Sequence, residues 1–186
     1  MGATLSGCLF ISDKEHETRL GWENVGISDT DDTDTDTDTD TDTDTCLDEP
    51  TWDSGSCPSE CTGGCSGTEC TVDCTGEDSC KADTVEYPDG WHCIVDCDGK
   101  AACDSSTIKC PEDNSCEIIC PNEDSCKSAE MICPETAHCD LTCSGSSSCQ
   151  DGTLECDDKA CSATCSGADA WVNVDCNDSC DCQDDC

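Results

Sequence analysis

The stretch "CIVDCDGKAACDSSTIKCPEDNS", residues 93–115, carries cysteines at 93, 97, 103 and 110, and "CEIICPNEDSCKSAEMICPETAH", residues 116–138, sets its own at the same offsets. Two consecutive units of 23 residues keep a cysteine frame while almost everything between the cysteines changes. The frame extends in both directions: "CTVDCTGEDSCKADTVEYPDGWH" from Cys70, "CDLTCSGSSSCQDGTLECDDKA" from Cys139 and a degenerate "CSATCSGADAWVNVDC" from Cys161. A fixed period of this length marks an array of stacked supersecondary units.

Two aliphatic columns run through the frame. One holds Val72, Val95, Ile118, Leu141 and Ala163, the other Val85, Ile108, Met131 and Leu154. In C-x-V-x-C the cysteines and the aliphatic residue alternate with a period of two, which places them on one face of a strand. Gly, Pro, Asn, Asp and Ser collect between the columns, at "DGKA", "PNEDS", "CPEDNS" and "CSGSSS", where bends require them. A helix would also align C-x3-C. However, units containing Pro111, Pro134 and repeated Gly leave no run long enough for ten helical residues. The pattern predicts two strands and two bends per unit: an all-β, small parallel β-helix of about five rungs, roughly 24 Å long at ~4.8 Å per rung.

With its frame C-x-[VIL]-x-C-x-[GN]-x-x-[SA]-C, an aliphatic residue and often C-P, the segment from residue 70 to residue 176 resembles the cysteine-rich β-helical repeats of secreted and surface proteins. That likeness implies the fold and no activity. Tyr87 stands where the first unit would have its fourth cysteine and Trp171 where the fifth would have its third, as in end rungs.

Twenty-six cysteines in 186 residues, without C-x2-C zinc pairs, indicate a disulfide scaffold built for an oxidising compartment. Aromatic residues make up 3% of the chain and much of the 34% hydrophobic share is cysteine, so crosslinks must stand in for an aliphatic core. A formal charge of −38 excludes a basic patch for nucleic acid or an anionic membrane and favours cations.

Cys93 and Cys97 lie about 13 Å apart along a strand, beyond disulfide reach. The first choice of partners brackets each bend: Cys74 with Cys80, Cys97 with Cys103, Cys110 with Cys116, Cys120 with Cys126, Cys133 with Cys139, Cys143 with Cys149, Cys156 with Cys161 and Cys176 with Cys182. A rival scheme joins neighbouring rungs: Cys80 to Cys110, Cys103 to Cys133, Cys126 to Cys156 and Cys149 to Cys176. The rival closes longer loops and accounts for cysteines missing only at the ends. Spacing alone does not choose between them.

Other chemistry is sparse. Metallothionein-like storage would need dense C-x-C thiolates, and Cys180 with Cys182 supplies one such pair. His92 and His138 precede repeat cysteines in bends and read as turn residues rather than acid–base groups. Asp157 with Asp158 and Asp184 with Asp185 read as solvated faces rather than glycosidase carboxylates. Lys81, Lys100, Lys109, Lys127 and Lys159 are too few for the cationic clamps of a polysaccharide lyase. Thr84, Thr107 and Thr153 form a partial ice-binding ladder that Glu130 interrupts.

The run from Asp29 to Thr45, nine aspartates in seventeen residues, reads as an extended spacer with weak Ca2+ association. Asp38, Asp40, Asp42 and Glu49 fall at EF-hand ligand positions, but Thr43 occupies the position of the required glycine. "LSGC", ending at Cys8, matches the lipobox of bacterial surface lipoproteins, which implies that Cys8 is acylated. Seven residues precede it, without a charged or apolar region, so this reading implies a longer precursor. The rival, myristoylation on "MGATLS", would leave the chain in a reducing cytosol. Setting Cys8 and Cys46 aside leaves an even count of 24 from residue 57 onward.

The expected organisation is a lipobox remnant (1–8), an acidic spacer (9–56) and a cysteine-rich β-helix (57–186). No stretch approaches the ~20 apolar residues of a spanning helix. The expected function is a non-enzymatic, secreted or lipid-anchored module at the bacterial outer membrane or cell surface, without cofactor, binding a surface ligand or serving envelope structure. A carbohydrate-active enzyme and a metal-binding protein are the alternatives, and convergent carboxylates in an outer groove would favour the former.

Overall fold

The computed structural model describes residue 46 and residues 55–186. Within them each repeat lays down one longer and one shorter strand. The longer ones are β2 (Glu69–Asp73), β4 (His92–Asp96), β6 (Cys116–Cys120), β8 (Cys139–Cys143) and β10 (Cys161–Cys165). The shorter ones are β3 (Thr84–Glu86), β5 (Thr107–Lys109), β7 (Glu130–Ile132), β9 (Gly152–Glu155) and β11 (Val172–Asp175). Adding β1 (Gly64–Ser66) and β12 (Cys182–Asp185), the strands form two sheets, ordered β1-β2-β4-β6-β8-β10-β12 and β11-β9-β7-β5-β3. All pairs but β1–β2 are parallel, so the chain is an all-β parallel solenoid of about five turns.

Register follows the cysteine frame: Cys70 faces Cys93, Cys93 faces Cys116, and Cys116 faces Cys139. Cys161 then faces Cys139 and Cys182, one and two residues early against the period of 23. Alternation fixes this register, since a slip by one residue would turn every buried side chain outward. Both aliphatic columns point inward: Val95, Ile108, Ile118, Met131 and Leu154 have no exposed surface. Two such side chains per rung, at roughly 1.5–3 kcal/mol each for full burial, make a thin core that sulphur completes.

The bend between the longer and the shorter strand is a ribbon of three successive turns. In the second rung Ala102, Asp104 and Ser106 donate their backbone N–H to the carbonyls of Gly99, Ala101 and Cys103. The third residue of each turn is left-handed although none is glycine: Ala101, Cys103 and Ser105 have φ of 55°, 55° and 57°. The same three positions recur as Asp78, Cys80 and Ala82, as Asp124, Cys126 and Ser128, and as Ser147, Cys149 and Asp151. Such residues cost roughly 1–2 kcal/mol each. Hydrogen bonds between rungs offset that cost, as Ala101 N–H donates to Glu123 O, Ser105 N–H to Lys127 O and Cys103 N–H to Ser79 O. The rungs come so close here that a Cβ on Gly145 would lie 1.9 Å from Asn122 O. Below each turn Ser125 and Ser148, both fully buried, donate to the carbonyls of Asn122 and Gly145.

Two features depart from a plain array of five repeats. An antiparallel hairpin, β1 on β2, covers the first edge of the larger sheet, and β12 extends the same sheet beyond the fifth repeat. Both lie where the repeat pattern ends, so no column of like residues signals them.

Candidate functional site

The bends position the cysteines as pairs. Among the described residues twelve disulfides form. Eight are the brackets: Cys74–Cys80, Cys97–Cys103, Cys110–Cys116, Cys120–Cys126, Cys133–Cys139, Cys143–Cys149, Cys156–Cys161 and Cys176–Cys182. In the rival scheme Cys103 would join Cys133. Instead Cys103 bonds Cys97 with a Cα separation of 6.0 Å, because both face inward across one turn ribbon. Disulfides of neighbouring rungs stack, with Cys133 Sγ 3.8 Å from Cys161 Sγ. The sulphurs of Cys74, Cys80 and Cys103, and those of Cys97, Cys120 and Cys126, lie within 4.8 Å of one another. Bonded in this way they are a packed sulphur column and offer no thiolates.

The remaining bonds secure the ends. Cys57–Cys65 and Cys61–Cys70 hold the first hairpin, and Cys165–Cys186 and Cys46–Cys180 hold the last strand. Setting Cys46 aside with Cys8 was therefore incorrect. Cys46 closes a span of 134 residues, and the cysteine left over among the described residues is Cys93. Cys8, the Asp/Thr run and the EF-hand-like set Asp38, Asp40, Asp42 and Glu49 lie outside the described residues.

Cys93 is free because Tyr87 occupies the position of its bracket partner. The thiol is fully buried in β4, 3.4 Å from Trp91 O. Burial, helped by the charge of Asp89, pushes its pKa up to about 12. The Tyr87 hydroxyl is buried without a hydrogen-bond partner, and burial raises its pKa strongly, with Cys93 adding to the effect. The loss at the other end is handled differently: with Trp171 in the bracket position, Cys165 bonds Cys186 instead.

A concavity opens on the outer face of the larger sheet across β8, β10 and β12. Its volume is about 390 Å3, and His138, Asp140, Ala160, Ser162, Asp181 and Gln183 line it. Register makes it a notch. Ser162 stands beside Asp140 on one side and Gln183 on the other, and the small Ala160 and Ser162 form a low floor between taller walls. The bend before β10 is also the shortest bracket, five residues from Cys156 to Cys161 against six elsewhere in the frame. Hydrogen bonds orient the walls: Ser162 Oγ donates to Asp140 Oδ1 at 2.6 Å and Gln183 Nε2 donates to Asp181 Oδ2 at 3.2 Å. His138 Nε2 lies 3.9 Å from Asp140 Oδ2.

The other residues singled out in the sequence remain apart. His92 Nδ1 lies 2.7 Å from Ser115 Oγ on the first rungs. Lys81, Lys100, Lys109 and Lys127 each pair with a carboxylate, among them Asp104, Glu123, Glu86 and Asp124. Thr107 of the partial threonine ladder donates to Glu130, the residue that interrupts it. Asp157 lines a second, smaller concavity with Lys109, Glu112 and Glu135, whereas Asp184 and Asp185 lie exposed on β12. The notch residues Asp140, Asp181 and Gln183 carry no motif. The signal that could have located them is the pair of small residues flanking Cys161, Ala160 and Ser162, which the cysteine register sets between polar ones.

No family model, no curated protein and no solved structure matches the chain. Twelve intramolecular disulfides suit an extracellular module folded in an oxidising, extracytoplasmic environment.

Proposed function

We propose that the chain is a non-enzymatic surface module, tethered by a lipid on Cys8, that presents a covalently closed acidic solenoid to a ligand outside the cell. The observation that carries this reading is the bracketing of successive bends by disulfides, which keeps the fold together without a large core and leaves the outer faces free to vary. Cys46 is bonded to Cys180, so the chain preceding Cys46 joins the solenoid at its last rung. Serine replacement of Cys8 is expected to move the protein from the membrane to the soluble fraction with its β circular dichroism unchanged, while a strong dithiol reductant abolishes that signal. Retention of the Cys8→Ser variant on membranes would overturn the tether. Retention of β-structure after full reduction would overturn the scaffold.

The notch favours a second reading, a carbohydrate-active enzyme, because it sets two carboxylates on one outer face. Against it, the Asp140 side chain is 53% exposed and its carboxylate is already engaged by the Ser162 hydroxyl. Turnover of a polysaccharide panel, lost in Asp140→Asn, would establish the enzyme.

A further inference from the structure

We infer that the free edge of β11 is a docking site for an extended basic segment of a partner protein, which adds a strand to the smaller sheet. This rests on the reading of the chain as a binding module and names the partner class. The last rung is half built. β12 continues the larger sheet one strand beyond β10, whereas the smaller sheet stops at β11, with β9 on one side and, among the described residues, no strand on the other.

The backbone of β11 fixes which groups stand at that edge. Cys156 N–H donates to Asp175 O at 2.9 Å, so Asp175 addresses the rung below. Successive residues of a strand turn their N–H and C=O to opposite sides, hence Val172 and Val174 direct theirs to the free edge. The side chains agree. Leu154, one rung below, has no exposed surface, but Val174, which continues its column, is only half-buried, and Trp171, directly before β11, is 39% exposed. An open strand edge beside uncovered apolar side chains is what strand addition uses: main-chain hydrogen bonds give affinity and alternate side chains give selectivity.

Shape and charge select the occupant. β12 stands one strand spacing, about 4.8 Å, beyond the level of β11. A second solenoid laid on this end meets β12 before its own strands reach β11, and two chains of formal charge −38 repel. A single extended segment fits beside the step. Its charge follows from what it faces. Asp175 lies exposed on β11, and Asp184 takes the position above Ala163 in the inward column of the larger sheet, across the interior from the free edge. Lysine or arginine suits both walls, with apolar residues over Val174. The edge of β12 is different, since Asp184 and Asp185 lie exposed there and charged residues discourage strand addition.

The test must separate strand addition from the diffuse field of so acidic a protein. The full-length protein is titrated at physiological salt with a blocked hexapeptide of alternating lysine and valine, following heat by calorimetry and amide exchange by NMR. One comparison peptide is N-methylated at every backbone amide, which keeps charge and side chains and removes the donors. The other carries glutamate for lysine. Saturable 1:1 binding is expected, with exchange of the Val174 amide slowed at least tenfold and binding of either comparison peptide weakened at least tenfold. Val174→Pro removes an N–H that faces the free edge and no bond to β9, and is expected to weaken binding at least tenfold. Trp171→Ala, an exposed position, is expected to weaken it about threefold and serves should the proline disturb the strand. Equal binding of the N-methylated peptide, protection centred on β12, or absence of saturable binding would each overturn the proposal. So would slow exchange of Val174 in the unliganded protein, whether from another segment of the chain or from a second copy seen by sedimentation. Membrane release of the Cys8→Ser variant reads the tether and not this edge, so either result can fail while the other stands.

Discussion

Replacing Tyr87 by cysteine should complete the frame. Glu86 faces Lys109 and Cys93 faces Cys116, so positions 87 and 93 stand one rung below Cys110 and Cys116, whose Cα atoms are 5.9 Å apart in a disulfide. A ring of about seven residues removes roughly 2.3 kcal/mol of loop entropy from the unfolded chain. The substitution also removes a buried hydroxyl without a partner, a defect worth about 1–3 kcal/mol. Against these gains stands the lost packing of a large aromatic ring, about 2–3 kcal/mol for one that is only partly buried. The net expectation is a gain of about 1–2 kcal/mol, or some 3–8 °C in the melting midpoint of a domain this size. Alkylation under denaturing conditions followed by intact mass should show one reactive thiol fewer than in the parent, and non-reducing peptide mapping should join residues 87 and 93. If Cys93 stayed alkylatable, or if mapping found it joined to Cys70 or Cys116, the assignment of Tyr87 to the bracket position would be wrong.

The same loop arithmetic orders the native crosslinks. Cys46–Cys180 spans 134 residues and is worth about 5 kcal/mol, against about 2.3 kcal/mol for Cys97–Cys103, which spans six. The double serine variant of the first pair should therefore lower the guanidinium midpoint about twice as far as that of the second, and equal shifts would contradict the assigned pairing. Cys93 sets an alkaline limit. Its thiol is protonated in both states below its ordinary pKa of 9.0, so its contribution is intact there. From about pH 9 the unfolded chain loses the proton while the folded chain retains it up to about 12, so stability declines across that window. Urea midpoints measured from pH 8 to 10.5 should fall more steeply in the parent than in Cys93→Ala, and parallel slopes would refute the burial of the thiol.

The solenoid was legible because its information is periodic. Val95 and Ile118 recur between cysteines at a fixed offset, and a period of two inside a period of 23 leaves one arrangement in which both columns are buried. Connectivity was half legible. The C-x5-C spacing marked seven of the eight brackets and C-x4-C the eighth, but the offset scheme satisfied the same sequence, and what separates them is the left-handed ribbon that folds Cys103 back toward Cys97. Nothing local predicts that ribbon, since its φ values fall on Ala101, Cys103 and Ser105 rather than on glycine and are held by hydrogen bonds from the next rungs. Cys46–Cys180 was illegible for a related reason: it joins residues 134 apart that belong to no repeat.

The notch was hidden because its residues carry no motif. A concavity on an outer face needs a rung whose outward residues are smaller than those above and below. Register through Cys139, Cys161 and Cys182 sets Ala160 and Ser162 between His138 with Asp140 and Asp181 with Gln183. The wall formed by Asp181 is further fixed by its neighbour Cys180, bonded to Cys46, and by its carbonyl, which accepts the Cys161 N–H at 2.8 Å. The clasp that ends the spacer thus also sets one side of the notch. Covalent closure and the notch meet at the last rung, and disturbing the clasp should loosen the notch before it loosens the interior columns, which rest on brackets several rungs away.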